Sequence, residues 1–191
     1  MYNNVMQINN SNIIDDTNPL VREKSLDVTL PLSKEDEELA LSMLEYVKDS
    51  TDEEKAKERD LTPAVGLAAI QLGIKKKILA IALRDEDGGF ECEYALVNPK
   101  IISYSLENAY LKGGEGCLSV KKTHEGYIKR HARIKVKAYD AIAKKEILIK
   151  ARDYLAIVFQ HEIDHFSGIL YYDHINKEDP FKEENGDIVI E

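Results

Sequence analysis

Gln160-His161-Glu162-Ile163-Asp164-His165 is the stretch from which the rest of this chain is read. On a helix, His161 and His165 lie one turn apart on the same face, with Cβ atoms roughly 5–6 Å apart, so two imidazoles can grip one metal ion. Glu162 stands beside the first of them, where its carboxylate reaches a water on that metal without binding the metal itself. An H-E-x-x-H of this kind supplies two ligands and a general base to metal-assisted hydrolysis. The apolar lead-in Asp153-Tyr154-Leu155-Ala156-Ile157-Val158-Phe159 and the stop signal Gly168 predict a helix over about 152–166. Such a helix enters a dry interior, where imidazoles need partners. A purely structural helix would carry the same two histidines as partly buried polar groups.

Outward from this helix the period is mostly that of strands. Lys77 to Arg84, Cys92 to Asn98 and Lys100 to Tyr104 are β-like, with Asp87-Gly88-Gly89 as a hairpin turn. Arg133-Ile134-Lys135-Val136-Lys137-Ala138-Tyr139 alternates cleanly, Glu146 to Ala151 follows, and Asp140-Ala141-Ile142-Ala143-Lys144 makes the turn between them. Asp187-Ile188-Val189-Ile190-Glu191 reads as a short final strand. Upstream, Ser33 stands three residues before Asp36 as an N-cap signal, and Leu39, Met43, Leu44 and Val47 share one helical face, predicting a packing helix over about 34–49. Residues 50–62 are nearly all polar and read as an exposed insertion, a loop or frayed helical turn; residues 1–15 are Asn-rich and read as an extended arm. The expectation is one α+β domain spanning 1–191, antiparallel β-strands gathered around a central metal-binding helix, with a C-terminal strand.

At 191 residues the chain is long enough for one sizeable core and short for two. A hydrophobic share of 43% and a charged share of 32% fit a globular protein in water. No apolar run approaches 18 residues, which excludes a helical membrane span. The first 21 residues hold no Lys or Arg but do hold Asp15 and Asp16, unlike a secretory or mitochondrial leader, so a cytoplasmic location is expected. Two cysteines, Cys92 and Cys117, make no disulfide framework. The net charge of −9 argues against a nucleic-acid binder. Lys112 to Lys137 holds eight Lys or Arg against Glu115 and Glu125, and reads first as a solvated face and only secondarily as an RNA-docking patch. Neither a membrane contact nor a specific nucleic-acid site is expected.

Two histidines rarely suffice, since a catalytic metal usually takes three protein ligands and keeps one position open. Downstream candidates for the third are Asp173, His174 and Glu178. Upstream stands Cys117, within Gly113-Gly114-Glu115-Gly116-Cys117-Leu118-Ser119, whose glycines let the backbone pass close to a ligand. A further segment, Ala64-Val65-Gly66-Leu67-Ala68-Ala69-Ile70-Gln71-Leu72-Gly73, is rich in small residues and holds one polar side chain, Gln71, which either caps a turn or offers amide donors inside a site. Ile157 and Val158, one turn before His161, are core residues or the wall of an apolar substrate pocket.

Taken together, Val65 to Gln71, Glu115 to Ser119 and Gln160 to His165 resemble the three signature motifs of the peptide deformylases, in the family's order, with flanking likeness over about 12–175. The charged insertion and strand-like end resemble the longer, Gram-positive type. One position departs: Ala64 stands where the first motif usually opens with glycine, and a positive φ there would strain it. The resemblance implies Cys117, His161 and His165 as ligands of one divalent metal, Fe2+ natively, with Ni2+, Co2+ or Zn2+ able to substitute. It implies Glu162 as general base and acid, and Gln71 with the Leu118 backbone N–H as oxyanion donors. Val65, Gly66, Glu115, Gly116, Ile157 and Val158 would then bind an N-formyl-methionyl nascent chain, with transient ribosome association. Three rivals remain open: an H-E-x-x-H endopeptidase with a downstream ligand, a metal-stabilised binding module, and a cysteine hydrolase.

Overall fold

Along Ile78-Leu79-Ala80-Ile81-Ala82-Leu83 no side chain is left to solvent, which is how a strand reads when both of its faces are covered. The computed structural model describes residues 7–191 and shows what covers them. Ile78, Ala80 and Ala82 pack with Leu39, Met43, Leu44 and Val47 of helix α1 (Lys34–Ser50). Leu79, Ile81 and Leu83 pack with Ala156, Val158 and Phe159 of helix α3 (Asp153–Asp164). The period of two along one strand thus separates two cores, one on each side of a sheet.

That sheet has five strands: β1 (Gly66–Ala68), β2 (Ile78–Arg84), β3 (Phe90–Tyr104), β6 (Arg133–Asp140) and β7 (Lys145–Arg152), in that order and antiparallel throughout. A second sheet joins β4 (Asn108–Leu111) to β5 (Arg130–His131) on one side and to β8 (Ile188–Ile190) on the other. Its Ala109, Ile188 and Ile190, with Ala132 just after β5, close on Ile157, on another face of α3. The expected arrangement, strands gathered around one central helix, is what the chain forms. Among the strands of the described residues, β8 is the exception to antiparallel pairing and lies parallel to β4.

Helix α1 begins where the cap signal puts it: the Ser33 hydroxyl accepts from Asp36 N–H at 3.1 Å. Of the two readings of the polar run after it, loop or helical turn, the second is the one that forms. Glu53–Arg59 forms a short helix α2, with Asp52 accepting from Lys55 N–H at 3.1 Å and Asp60 closing it in the left-handed region at φ 52°. No side chain of α2 is buried, so no apolar stripe could announce it. The N-terminal arm falls partly on residues 1–6, outside the described residues. From Ile8 onward it is strapped down: Ile8 is buried, Ile14 N–H donates to Gln71 C=O at 2.8 Å, and Asp16 N–H donates to Ser119 C=O at 2.7 Å. At the far end of α3, Gly168 lies against the Arg22 backbone with φ 69°, a place where any Cβ would collide. Among the described residues no helix is long and apolar enough to cross a membrane.

Candidate metal centre

Three segments converge at the middle of α3. His161 and His165 leave the helix one turn apart with ring centroids 5.2 Å from each other. The loop after β4 brings Cys117 up to them, with Sγ 3.5 Å from His165 Nε2. The ligand atoms of Cys117, His161 and His165 all lie within 4.8 Å of one another, and they form the one such His/Cys/carboxylate group among the described residues. Tetrahedral bonds of about 2.3 Å to sulfur and 2.1 Å to nitrogen require a sulfur–nitrogen edge of roughly 3.6 Å. The observed edge fits a single cation, and the donor set of one thiolate and two imidazoles suits zinc or ferrous iron. The downstream candidates point elsewhere: Asp173 pairs with Arg22, and His174 Nε2 lies 2.7 Å from Asp164 Oδ2.

Gln71 reaches the site from a single 3-10 turn after β1. Its Oε1 accepts from Ala68 N–H at 2.8 Å, which turns the NH2 group toward Cys117 Sγ at 3.5 Å and Ser119 Oγ at 3.3 Å. Both readings of this residue therefore hold at once: one end caps a turn and the other faces the site. Ala64 keeps ordinary backbone geometry, since the non-glycine residues with positive φ are Asp60, Asn98, Lys144 and Asp153.

Behind the ligands lies a buried ionic group that sequence reasoning missed. Glu115 borders the cleft, yet its carboxylate is committed inward: Oε2 is 2.8 Å from His161 Nδ1, and Arg130 grips both oxygens at 2.5 and 2.9 Å. Arg130 also donates to Asp164 at 2.9 Å. Burial alone would raise the Glu115 carboxyl, but hydrogen bonds from His161 and Arg130 win and hold it down at about 2. With Nδ1 committed to Glu115, His161 keeps Nε2 for the centre, the usual way a carboxylate sets a ligand's tautomer. Burial works against protonation of His161, but its bonds to Cys117 and Glu115 outweigh that and raise it to about 10; a proton and a cation thus compete for one nitrogen. Burial and the neighbouring His161 push His165 well down.

Glu162 is 5% exposed, its Oε2 has no hydrogen-bond partner, and burial pushes its carboxyl up to about 7. An unpartnered buried carboxylate is costly in a fold and marks a working group. It faces a cavity of about 560 Å3 walled by Val65, Gly66, Ile157, Val158, Gly116 and Leu118, with Cys117 and His161 at its floor. All of the substrate-pocket residues expected from sequence therefore meet in one cleft. Leu111 and Tyr154 join them unannounced; neither stands in a motif.

The model of the family described as polypeptide deformylase matches residues 10–181. The chain belongs to the peptide deformylase family. A peptide deformylase of Macrococcus caseolyticus is 48% identical over 179 residues, covering 94% of this chain and 97% of that one. Peptide deformylase 2 of Bacillus subtilis is 46% identical over 180 residues, with 94% and 97% covered. Among solved structures, the peptide deformylase of Ehrlichia chaffeensis superposes with a TM-score of 0.68 at 30% identity, covering 87% of this chain and 88% of that one. Peptide deformylases are hydrolases that remove the N-terminal formyl group from nascent polypeptides, and a metal site accords with that family.

Proposed function

We propose that Cys117 Sγ, His161 Nε2 and His165 hold one divalent cation, ferrous iron in the cell, and that Glu162 moves the protons of deformylation. The observation that carries this reading is the convergence of three ligand atoms beneath a cleft whose one buried, unpartnered carboxylate is Glu162. When bound, the cation supplies Lewis acidity, polarising the formyl oxygen and making a water nucleophilic near neutral pH.

The protein does the rest. Glu162 takes a proton from the attacking water and returns it to the departing amine, so that the formyl C–N bond breaks to give formate and a free N-terminus. The Gln71 NH2 and the Leu118 backbone N–H receive the charge that develops on the formyl oxygen; removing one such donor costs about 10²–10³ in rate. Ile157, Val158 and Val65 receive the methionine side chain, while Gly66 and Gly116 leave room for the peptide main chain. Glu115 and Arg130 position His161 rather than touch substrate. Residues 1–191 act as one domain in the cytoplasm, where Cys117 stays reduced and nascent chains are met during transient association with the ribosome.

Anaerobically prepared protein should deformylate formyl-Met-Ala-Ser, and a chelator should abolish the reaction. Glu162→Gln should keep the metal and lose several orders of magnitude in turnover, whereas Cys117→Ala should lose the metal. Activity that survives chelation would instead favour the cysteine-hydrolase reading, and cleavage between residues of an unformylated peptide the endopeptidase reading.

A further inference from the structure

The strand register sets like charges face to face on the outer side of β3, β6 and β7. Arg133 stands opposite Arg152, Lys135 opposite Lys150, and Lys137 opposite Lys100. Like charges directly opposite on one sheet face destabilise it, and this chain carries −9 overall, so carboxylates were at hand to relieve them. Some relief exists: Glu107 pairs with Arg133, Glu146 with Lys137 and Asp153 with Arg152. Lys100, Lys135 and Lys150 form no ion pair among the described residues. Beside them the sheet carries a groove of about 370 Å3 whose lining includes Arg133, Lys135, Lys150, Arg152 and Tyr104, and no carboxylate. The Tyr104 ring stacks on His131 at 4.2 Å and is 61% exposed.

We propose that this groove binds RNA, with Lys135, Lys150, Arg133 and Arg152 on consecutive phosphates and the open face of Tyr104 under a base. Cations in two rows one strand apart follow a phosphate chain, and an exposed aromatic ring beside them gives an unpaired base somewhere to stack. Charge complementarity selects a polyanion, and the ring selects a nucleic acid over other polyanions. The groove ends at Arg152, two residues along the chain from Tyr154, which lines the cleft above the candidate metal centre. The inference does not depend on the reading of the metal centre. It takes only Arg133 and Lys135 from the basic stretch visible in the sequence, where six of the eight cations in Lys112 to Lys137, Arg133 among them, are paired with carboxylates; Arg133 and Arg152 would exchange weak, exposed partners for phosphate. The open cluster forms only when β6 and β7 come into register.

Binding of a fluorescent 12-nucleotide oligouridylate to the full chain tests this. Four phosphate contacts predict that affinity falls by about 50-fold between ~50 and ~200 mM salt. The double variant Lys135→Glu/Lys150→Glu should bind about tenfold or more weakly with a salt slope reduced by ~1.4, while its turnover of formyl-Met-Ala-Ser stays at the parent level. Lys150→Glu alone should raise Tm by relieving the pair with Lys135, and still bind RNA more weakly. The same charge change elsewhere, Lys24→Glu/Lys57→Glu, should leave RNA affinity within twofold. Failure of the parent chain to bind oligouridylate at ~50 mM salt, equal losses in the two double variants, or unchanged affinity in Lys135→Glu/Lys150→Glu would each overturn the proposal.

Discussion

Gly66 is the residue at which backbone and chemistry come closest. A Cβ built on it would meet Glu162 Cγ and Cδ at 2.8 Å, and Oε1 closer still. Its φ is unremarkable, so glycine is needed here for space and not for conformation. Gly66→Ala must therefore push the Glu162 carboxylate aside, and a displacement near 1 Å costs about 10²-fold in turnover. Metal content should be unaffected, because the proposed ligand set does not include Glu162; steady-state kinetics alongside metal analysis checks both halves, and full activity would mean that Glu162 has room to retreat. At this scale much was legible. The i, i+4 histidines announce a site through helix geometry alone. Glu115 was expected against substrate and not behind His161, because the Glu115–His161 bond spans 46 residues, and Arg130 reads in the sequence as one more surface cation.

At the scale of elements, the strands expected at Cys92 to Asn98 and Lys100 to Tyr104 are one, β3, running Phe90–Tyr104. The gap between the two expected strands falls at Asn98-Pro99, which is turn chemistry. Asn98 does take φ 50°, and the ladder to β6 shifts register there. The strand survives because the Asn98 side chain takes the place of a strand partner, accepting from Val28 N–H and donating to Val28 C=O, each at 2.8 Å. Asn98→Ala loses both bonds and places a Cβ residue in the left-handed region with no side-chain compensation. A loss of about 2–3 kcal/mol follows, or a fall in Tm of roughly 4–10 °C for a chain of this size. Asn98→Gly should recover only the backbone part. Thermal unfolding of the pair separates the two terms, and a fall below ~0.5 kcal/mol in Asn98→Ala would show that Val28 finds other partners. Helix α2 was legible only as one of two alternatives, for a different reason: it is held by caps and by the ion pair of Arg59 with Asp49 of α1, and neither leaves a hydrophobic period to read.

At the scale of the molecule, α3 is clamped between two sheets, and the smaller one is closed by the last strand in the chain. Periodicity identified β8 as a strand but could not name its partner, since parallel pairing to β4 is a tertiary fact with no local signature. That pairing ties the end of the chain to the active site. Ile188 and Ile190 pack against the cluster of Ala109, Ala132 and Ile157, and Ile157 walls the cleft. Asp187, 7% exposed in its side chain, pairs with Lys129 at 2.8 Å and anchors the approach to β8. Deleting 187–191 therefore removes the backing of the proposed methionine pocket while leaving the proposed metal ligands, Glu162 and Gln71 in place. KM for formyl-Met-Ala-Ser should rise by about 3–10-fold, on the order of 1 kcal/mol of binding, with kcat within ~twofold and Tm lowered. A matched loss for a formylated substrate whose first residue is alanine would place the defect outside the side-chain pocket. Because the deletion acts on the wall behind Ile157, discrimination between methionine and alanine at that position should shrink with it.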